Sequence, residues 1–134
     1  MDNTDTPSGA FVRGADEIDY ETVDAAEGLR KGVLIDESDG APTFAIRRFT
    51  IDPSTEVPKH TNAVEHEQHV LSGTYTVGFR DPETGEEIEQ TVAAGDSIFV
   101  PAGTVHWYRN ESETQGSFLC AVPNGEDSIA VVDK

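Results

Sequence analysis

The histidines of this sequence are confined to two short segments, and they are its clearest chemical signal. His60, His66 and His69 lie in KHTNAVEHEQHVLSG, and the fourth histidine, His106, lies in GDSIFVPAGTVHWYRN. Neutral imidazoles bind the borderline divalent metal ions tightly but do not select one metal among them. If folding brings the two segments together, they could hold one metal ion.

Side-chain alternation limits which of these residues can face one cavity. Successive side chains of a β-strand point to opposite faces of the sheet. In extended segments, the sets that share a face are His66 with Gln68 and Val70, His60 with Asn62, and His106 with Tyr108. His66 and His69 fall on opposite faces, so a regular strand does not present both of them to one ion.

The elements that would position these residues are short strands. The predicted strands, rich in β-branched and aromatic residues, are GVLID, TFAIRRFTI, EHEQHVL, TYTVGF, EEIEQTV, DSIFV, VHWYR and GSFLCAV. Turn-forming segments such as ESDGAP, IDPSTEVP, RDPETGE and PAG separate them. Strands of this length and spacing predict an all-β sandwich or barrel of antiparallel strands. The upstream segment DEIDYETVDAAEG gives mixed signals, and we assign it no structure.

Composition limits the domain count and the partners. A chain of 134 residues is typical of one domain, which we place at residues 10–134 after a flexible arm at residues 1–9. Its net charge of -17 repels nucleic acid and anionic membranes, and a surface this acidic suits a salt-rich cytoplasm, so we expect a halophilic source. Cys120 is the only cysteine, which excludes an internal disulfide. With no apolar segment long enough to span a bilayer and no signal peptide, we predict a cytoplasmic protein.

The second histidine segment resembles the second motif of the cupins, which are small β-barrels of the jelly-roll, or double-stranded β-helix, type. In that family the motif reads G-x5-P-x-G-x2-H-x3-N. The residues at the fixed positions are Gly95, Pro101, Gly103, His106 and Asn110, each at the required spacing. The glycines and the proline would form the sharp turn that joins two strands of the barrel.

The first histidine segment resembles the first cupin motif, G-x5-H-x-H-x3-4-E-x6-G, with three exchanges. His60 and Gly73 match, whereas Ser54 replaces the opening glycine, Asn62 the second histidine and His66 the glutamate. The last exchange is similar to that in small manganese-binding cupins with four histidines. The two motifs occupy residues 54–73 and 95–110, and the wider resemblance covers residues 28 to 123. It implies a single cupin barrel.

The resemblance also implies a metal centre near one mouth of the barrel. The expected cofactor is one divalent ion of manganese, iron, nickel, copper or zinc, with manganese or iron favoured. The implied metal ligands are His60, His66 and His106, with Asn62 as a candidate for the fourth position. The side chains expected to bind substrate are Arg47, Val57, Asn62, Phe118 and Cys120. Alternatively, Arg47 could pair with a buried acid, and Val57, Phe118 and Cys120 could be plain core residues. The expected catalytic residues are Tyr108, as a proton donor, and Gln68, as a hydrogen-bonding group.

Several functions are compatible with such a centre. A redox-active metal with an open coordination position favours a dioxygenase or oxygenase that acts on a small organic substrate. Two alternatives are a non-catalytic protein that binds or senses a small molecule, and a Lewis-acid isomerase or decarboxylase. The chain has no helix-turn-helix segment or basic surface, which weighs slightly against a regulator. We expect a homodimer, in which AFVRG is a strand that the subunits could exchange.

Overall fold

Two antiparallel β-sheets face each other in the all-β jelly-roll architecture that the sequence predicts. The computed structural model describes residues 9–125 and 128–132. The strands are β1 (Tyr20–Thr22), β2 (Leu29–Ile35), β3 (Phe44–Ile51), β4 (Thr55–Asn62), β5 (His66–Ser72), β6 (Thr74–Arg80), β7 (Glu87–Ala93), β8 (Ser97–Val100), β9 (His106–Asn110), β10 (Gly116–Pro123) and β11 (Ile129–Val131). The first sheet has the order β1-β2-β3-β10-β5-β8, and the second has the order β11-β4-β9-β6-β7.

Helical structure in the described residues is limited to short 3-10 turns such as Ala15–Glu17 and Glu37–Asp39. No helix in that part of the chain has the length and apolar character needed to cross a membrane. Residues 1–8 of the predicted N-terminal arm lie outside the described residues. Residues 10–14, which include the predicted exchange strand AFVRG, have no regular secondary structure.

The core fills the space between the inner faces of the two sheets. Its buried residues include Ile51, Val70, Val100, Phe118 and Cys120 from the first sheet and Val57, Tyr75, Val77, Val92 and Tyr108 from the second. They occupy alternate positions along their strands, as expected when one face of each sheet is buried. Each fully buried apolar side chain of this size contributes about 1.5–3 kcal/mol to stability. The same inner faces carry the histidines of the predicted metal centre.

Each predicted strand overlaps an observed one, and three further strands form in segments that the sequence left unassigned or gave to turns. These are β1, β4 and β11. The assignment of IDPSTEVP to a turn is wrong for its second half, because β4 begins at Thr55 and runs through Pro58. Pro58 is exposed and lies at an irregular point of the β4–β9 pairing, where a strand tolerates the loss of a backbone donor.

An irregularity in β4 sets the direction of His60. The register between β4 and β9 shifts between Val57 and His60. Val57 and His60 are both buried, at 2% and 4% exposure, although a separation of three residues would place them on opposite faces of a regular strand. One extra residue at the bulge restores the inward direction for His60 and for Asn62 after it. His60 therefore lies directly opposite His106 of β9.

The outer face of the second sheet holds β9 in place. Gly78 of β6 lies between Trp107 of β9 and Glu89 of β7, and a Cβ atom at Gly78 would lie 2.0 Å from the Trp107 ring. The missing side chain lets the indole reach across β6, where Trp107 Nε1 donates to Glu89 Oε2 at 2.7 Å. Arg109 donates to both oxygens of the same carboxylate, at 3.0 and 2.8 Å. Three neighbouring strands are thus joined behind His106.

We predict that Ser54→Gly stabilises the protein. Ser54 has a φ of 64°, in the left-handed region, at the position where the first cupin motif has glycine. A side chain in that conformation costs roughly 1 kcal/mol or more, and the extra entropy of unfolded glycine offsets part of the gain. Urea denaturation should show a free energy of unfolding about 0.5–1 kcal/mol higher in the variant.

Gly95→Ala is the matched control for this prediction. Gly95 has a φ of 98°, and a Cβ atom added there would have no heavy atom within 4 Å. Alanine should therefore lower the free energy of unfolding by about 1 kcal/mol through backbone conformation alone. A destabilised Ser54→Gly variant beside a destabilised Gly95→Ala variant would contradict the account of Ser54.

Glu89→Gln should change the acid dependence of stability. Hydrogen bonds from Arg109 and then from Trp107 lower the pKa of Glu89 from 4.5 to about 2 in the folded protein. Its ionised form therefore stabilises the fold above about pH 4.5, and this contribution disappears as the pH falls toward 2. Because the side chain is 39% exposed, solvent screening limits the contribution to about 1 kcal/mol.

Urea denaturation at several pH values checks this prediction. The difference in unfolding free energy between the wild type and Glu89→Gln should be largest near neutral pH and should shrink between pH 4.5 and 2. Glu111→Gln is the control, since Glu111 is 72% exposed and pairs with Arg109 at 3.3 Å. An equal, pH-independent loss in both variants would show that the Glu89 carboxylate has no special contribution.

Candidate metal centre

A small cavity between the two sheets is lined by His60, His66 and His106. His60 and His106 face each other across the β4–β9 pair, and His66 comes from β5 of the opposite sheet. The other lining residues are Val23, Leu29, Phe49, Val57, Asn62, Gln68, Tyr108, Phe118 and Ile129. The cavity volume of about 40 Å³ has room for an ion and one or two water molecules.

Hydrogen bonds to the backbone fix the orientation of two imidazoles. His60 Nδ1 lies 2.7 Å from the carbonyl oxygen of Pro58, and His106 Nδ1 lies 2.9 Å from that of Thr104. A carbonyl oxygen only accepts, so each Nδ1 carries the proton and donates. In the neutral ring Nε2 is then the nitrogen with a lone pair. This arrangement is typical of histidines that bind metals, whose other ring nitrogen donates to a carbonyl or carboxylate.

His66 has a different partner on its Nδ1 side. Its Nδ1 lies 3.3 Å from the Sγ atom of Cys120, which also accepts a hydrogen bond from Arg47 Nη2 at 3.4 Å. Arg47 is 8% exposed, and its guanidinium lies 5.3 Å from the centre of the Phe49 ring. A buried thiol therefore contacts the Nδ1 side of His66, and a buried guanidinium contacts that thiol.

The three rings are close together but are not arranged around a common point. The ring centres of His60 and His106 are 4.2 Å apart, whereas those of His66 and His106 are 6.4 Å apart. Correspondingly, no group of three His, Cys, Asp or Glu side chains in the described residues is disposed to hold a metal ion. An ion bound by all three histidines would therefore require these side chains to rearrange from the positions described.

Two carboxamide oxygens complete the polar lining of the cavity. Asn62 Oδ1 and Gln68 Oε1 are buried and have no hydrogen-bond partner among the described residues. A buried acceptor without a partner is costly, and an ion or a water molecule would satisfy it. Three imidazoles and two amide oxygens form a donor set that fits a divalent transition metal. On this observation the residues present fit the metal that the resemblance implies.

Tyr108 connects the cavity to the aromatic core. Its hydroxyl accepts a hydrogen bond from Gln68 Nε2 at 2.8 Å, and its ring stacks on Phe118 with centres 5.6 Å apart. Burial raises the pKa of Tyr108 above its ordinary value, with a smaller opposing effect of the bond from Gln68. The phenol therefore stays protonated at neutral pH.

The structure brings most of the predicted site residues together. Those that line the cavity are His60, His66, His106, Asn62, Gln68, Tyr108, Val57 and Phe118. Arg47 and Cys120 are not among the lining residues: Cys120 contacts His66, and Arg47 contacts Cys120. His69 is exposed on the outer face, where its Nδ1 lies 3.1 Å from Ser97 Oγ.

Four residues that line the cavity were not predicted from the sequence: Val23, Leu29, Phe49 and Ile129. Phe49 could have been found from alternation, because it lies two residues after Arg47 on β3 and shares its face. Val23 and Ile129 belong to segments that had no predicted structure. Nothing in their local sequence indicates a place beside the histidines.

Comparison with known families and structures identifies the fold. The Cupin_2 family, described as a cupin domain, matches residues 47–122, which is more than half of the chain. Among curated proteins, the comparison finds no match.

Several solved structures share the fold. The polyketide cyclase RemF from Streptomyces resistomycificus has 27% sequence identity and a TM-score of 0.76, over 93% of this chain and 87% of that one. A cupin-2 domain from Rhodospirillum rubrum has 17% identity and a TM-score of 0.75, over 96% and 84% of the two chains. An oxalate oxidase has 16% identity and a TM-score of 0.76, over 96% and 66%. The last two, below 25% identity, show likeness of fold alone.

Proposed function

This chain belongs to the Cupin_2 family of cupin domains, and we propose that it is a metal-dependent enzyme that acts on a small organic substrate. The observation that carries the proposal is the orientation of the histidines. His60 and His106 donate from Nδ1 to backbone carbonyls, and both rings line one cavity with His66. Such an arrangement fixes the tautomer and orientation of each ring, so that Nε2 is available as a metal ligand before an ion is bound.

The residues that would hold the ion are His60, His66 and His106, with an amide oxygen from the same cavity. These side chains would rearrange from the positions described so that one ion can contact all of them. When bound, a divalent ion with open coordination positions supplies Lewis acidity and, if it is manganese or iron, electron exchange with dioxygen. Manganese and iron stay the favoured metals of the proposal.

Oxygenation of the substrate is the first candidate reaction. The chain itself would contribute a dry, apolar surround from Val57, Phe49 and Phe118. Tyr108 accepts a hydrogen bond from Gln68, so its own hydroxyl proton is available to donate toward a substrate atom in the cavity. Gln68 holds that hydroxyl in place. These are the roles that the sequence predicts for the two residues.

The charges around the cavity favour a substrate with an anionic oxygen. None of the lining residues is an aspartate or a glutamate, and all the polar lining side chains are neutral amides, a phenol or imidazoles. The buried guanidinium of Arg47 contacts Cys120, which in turn contacts His66. Because no carboxylate lines the cavity, the anionic oxygen of a carboxylate, enolate or phenolate substrate would meet no like charge there.

Substrate entry requires the cavity to widen. Its volume of about 40 Å³ is far below that of a typical small-molecule site. Among the lining residues, Val23 and Phe49 are half-buried, and Ile129 is 42% exposed on the short edge strand β11. Displacing the side chains of Val23 and Ile129 would open the cavity toward solvent without moving the histidine strands.

A non-redox reaction is the second candidate, and one comparison favours it. RemF, at 27% identity over nearly the whole chain, is described as a polyketide cyclase. Ring closure between carbonyl-bearing segments needs polarisation of a carbonyl oxygen and transfer of protons, without an oxidant. The same cavity residues would serve, with Tyr108 as the proton donor.

Elemental analysis tests the metal centre. Protein purified without chelators or a histidine tag should contain one ion per chain, and His106→Ala should lose it, because the variant lacks one of two imidazoles with fixed orientation. His69→Ala is the matched control, since His69 lies on the outer face. Equal metal content in the wild type and His106→Ala, or none in the wild type, would refute the proposed centre.

Oxygen consumption then separates the two candidate reactions. Metal-loaded protein should consume oxygen with a member of a panel of phenolic, diketone and thiol compounds if it is an oxygenase. Formation of product without oxygen uptake would overturn the oxygenase assignment and support the non-redox reaction. Binding of these compounds without any turnover would overturn both and support a sensing protein.

A further inference from the structure

Gln68 presents a buried carboxamide to the cavity beside His66. The two residues are separated by one position on β5, so their side chains point to the same inner face. Gln68 is 4% exposed, and its Oε1 atom has no hydrogen-bond partner among the described residues. An acceptor of this kind would be satisfied by an ion or a water molecule held in the cavity.

A hydrogen bond to a residue of the opposite sheet orients this amide. Gln68 Nε2 donates to the hydroxyl oxygen of Tyr108, at 2.8 Å, and the bond joins β5 of one sheet to β9 of the other. The Tyr108 ring is itself held between Phe118, at 5.6 Å, and Tyr75, at 6.2 Å between centres. With its nitrogen fixed in this way, the amide leaves Oε1 as the atom that can contact what the cavity holds.

Asn62 is the competing oxygen donor, and the structure favours Gln68 over it. Asn62 Oδ1 also has no hydrogen-bond partner among the described residues, but Asn62 is more exposed, at 9%. It pairs with Ile129 of β11, close to the solvent-facing end of the cavity. Gln68 is deeper, and its amide nitrogen is anchored on a residue that is rigidly packed.

We propose that Gln68 Oε1 is an oxygen ligand of the ion held by His60, His66 and His106, and that Tyr108 is the residue that positions it. This inference rests on the proposed function. A neutral amide oxygen adds a ligand without adding charge, so it strengthens binding without reducing the attraction for an anionic substrate. It also favours metals that accept oxygen ligands, such as manganese, over metals that prefer nitrogen and sulfur.

Titration with Co²⁺ tests the proposal without an activity assay, because the visible absorption of bound Co²⁺ reports its ligands. Gln68→Leu should lower the affinity for Co²⁺ about tenfold or more and change the absorption spectrum. The loss of affinity should be larger for Mn²⁺ than for Zn²⁺. Gln68→Glu keeps an oxygen at the same place and should bind at least as tightly as the wild type.

Tyr108→Phe tests the positioning role. Removing the hydroxyl frees the Gln68 amide, so the affinity for Co²⁺ should fall and the spectrum should move in the direction seen for Gln68→Leu. Tyr75→Phe is the matched control, because its buried hydroxyl contacts neither Gln68 nor any other hydrogen-bond partner among the described residues. It should leave the affinity and the spectrum unchanged.

The outcomes separate this inference from the proposed function. A wild-type protein that binds no Co²⁺ would refute the metal centre itself. A wild type that binds Co²⁺, beside a folded Gln68→Leu variant with the same affinity and spectrum, would overturn the assignment of Gln68 alone. Loss of affinity in Asn62→Leu but not in Gln68→Leu would also overturn it, by assigning the oxygen ligand to Asn62.

Discussion

The β-bulge between Val57 and His60 is the constraint on which the candidate site depends. Without the extra residue, strict alternation along β4 would send His60 and Asn62 to the outer face while Val57 stayed in the core. The bulge lets one strand contribute both to the apolar core and to the polar cavity. It also places the carbonyl of Pro58 where His60 Nδ1 can donate to it, so the same irregularity orients the ring.

The acidic character of the chain does not extend to the cavity. The chain carries a net charge of -17, yet no acidic side chain lines the cavity, and a buried guanidinium, that of Arg47, lies near it. On the outer face of the second sheet, acidic and basic side chains join the strands through Trp107, Glu89 and Arg109. Carboxylates therefore stabilise the outer face of the sheet, whereas the polar side chains that line the cavity are neutral amides, a phenol and imidazoles.

Much of the fold could be predicted from sequence because its strands alternate clearly. Alternation placed His66 and Gln68 on one face and His69 on the other, and the second motif placed His106 after a sharp turn. The sequence pattern could not predict β4. Pro58 is typical of a turn, and the bulge interrupts the alternation of inward and outward side chains along the strand. Ile129 could not be found at all, since its contact with the cavity comes only from pairing between β11 and β4.

Anomalous diffraction from crystals grown with Mn²⁺ or Co²⁺ would locate the ion in the protein independently of any activity. We expect one peak in the cavity, about 2.1 Å from the Nε2 atoms of His60, His66 and His106. The three imidazoles should then have rearranged so that they share that ion. A cavity without a peak, with the metal found only at surface carboxylates, would contradict the account.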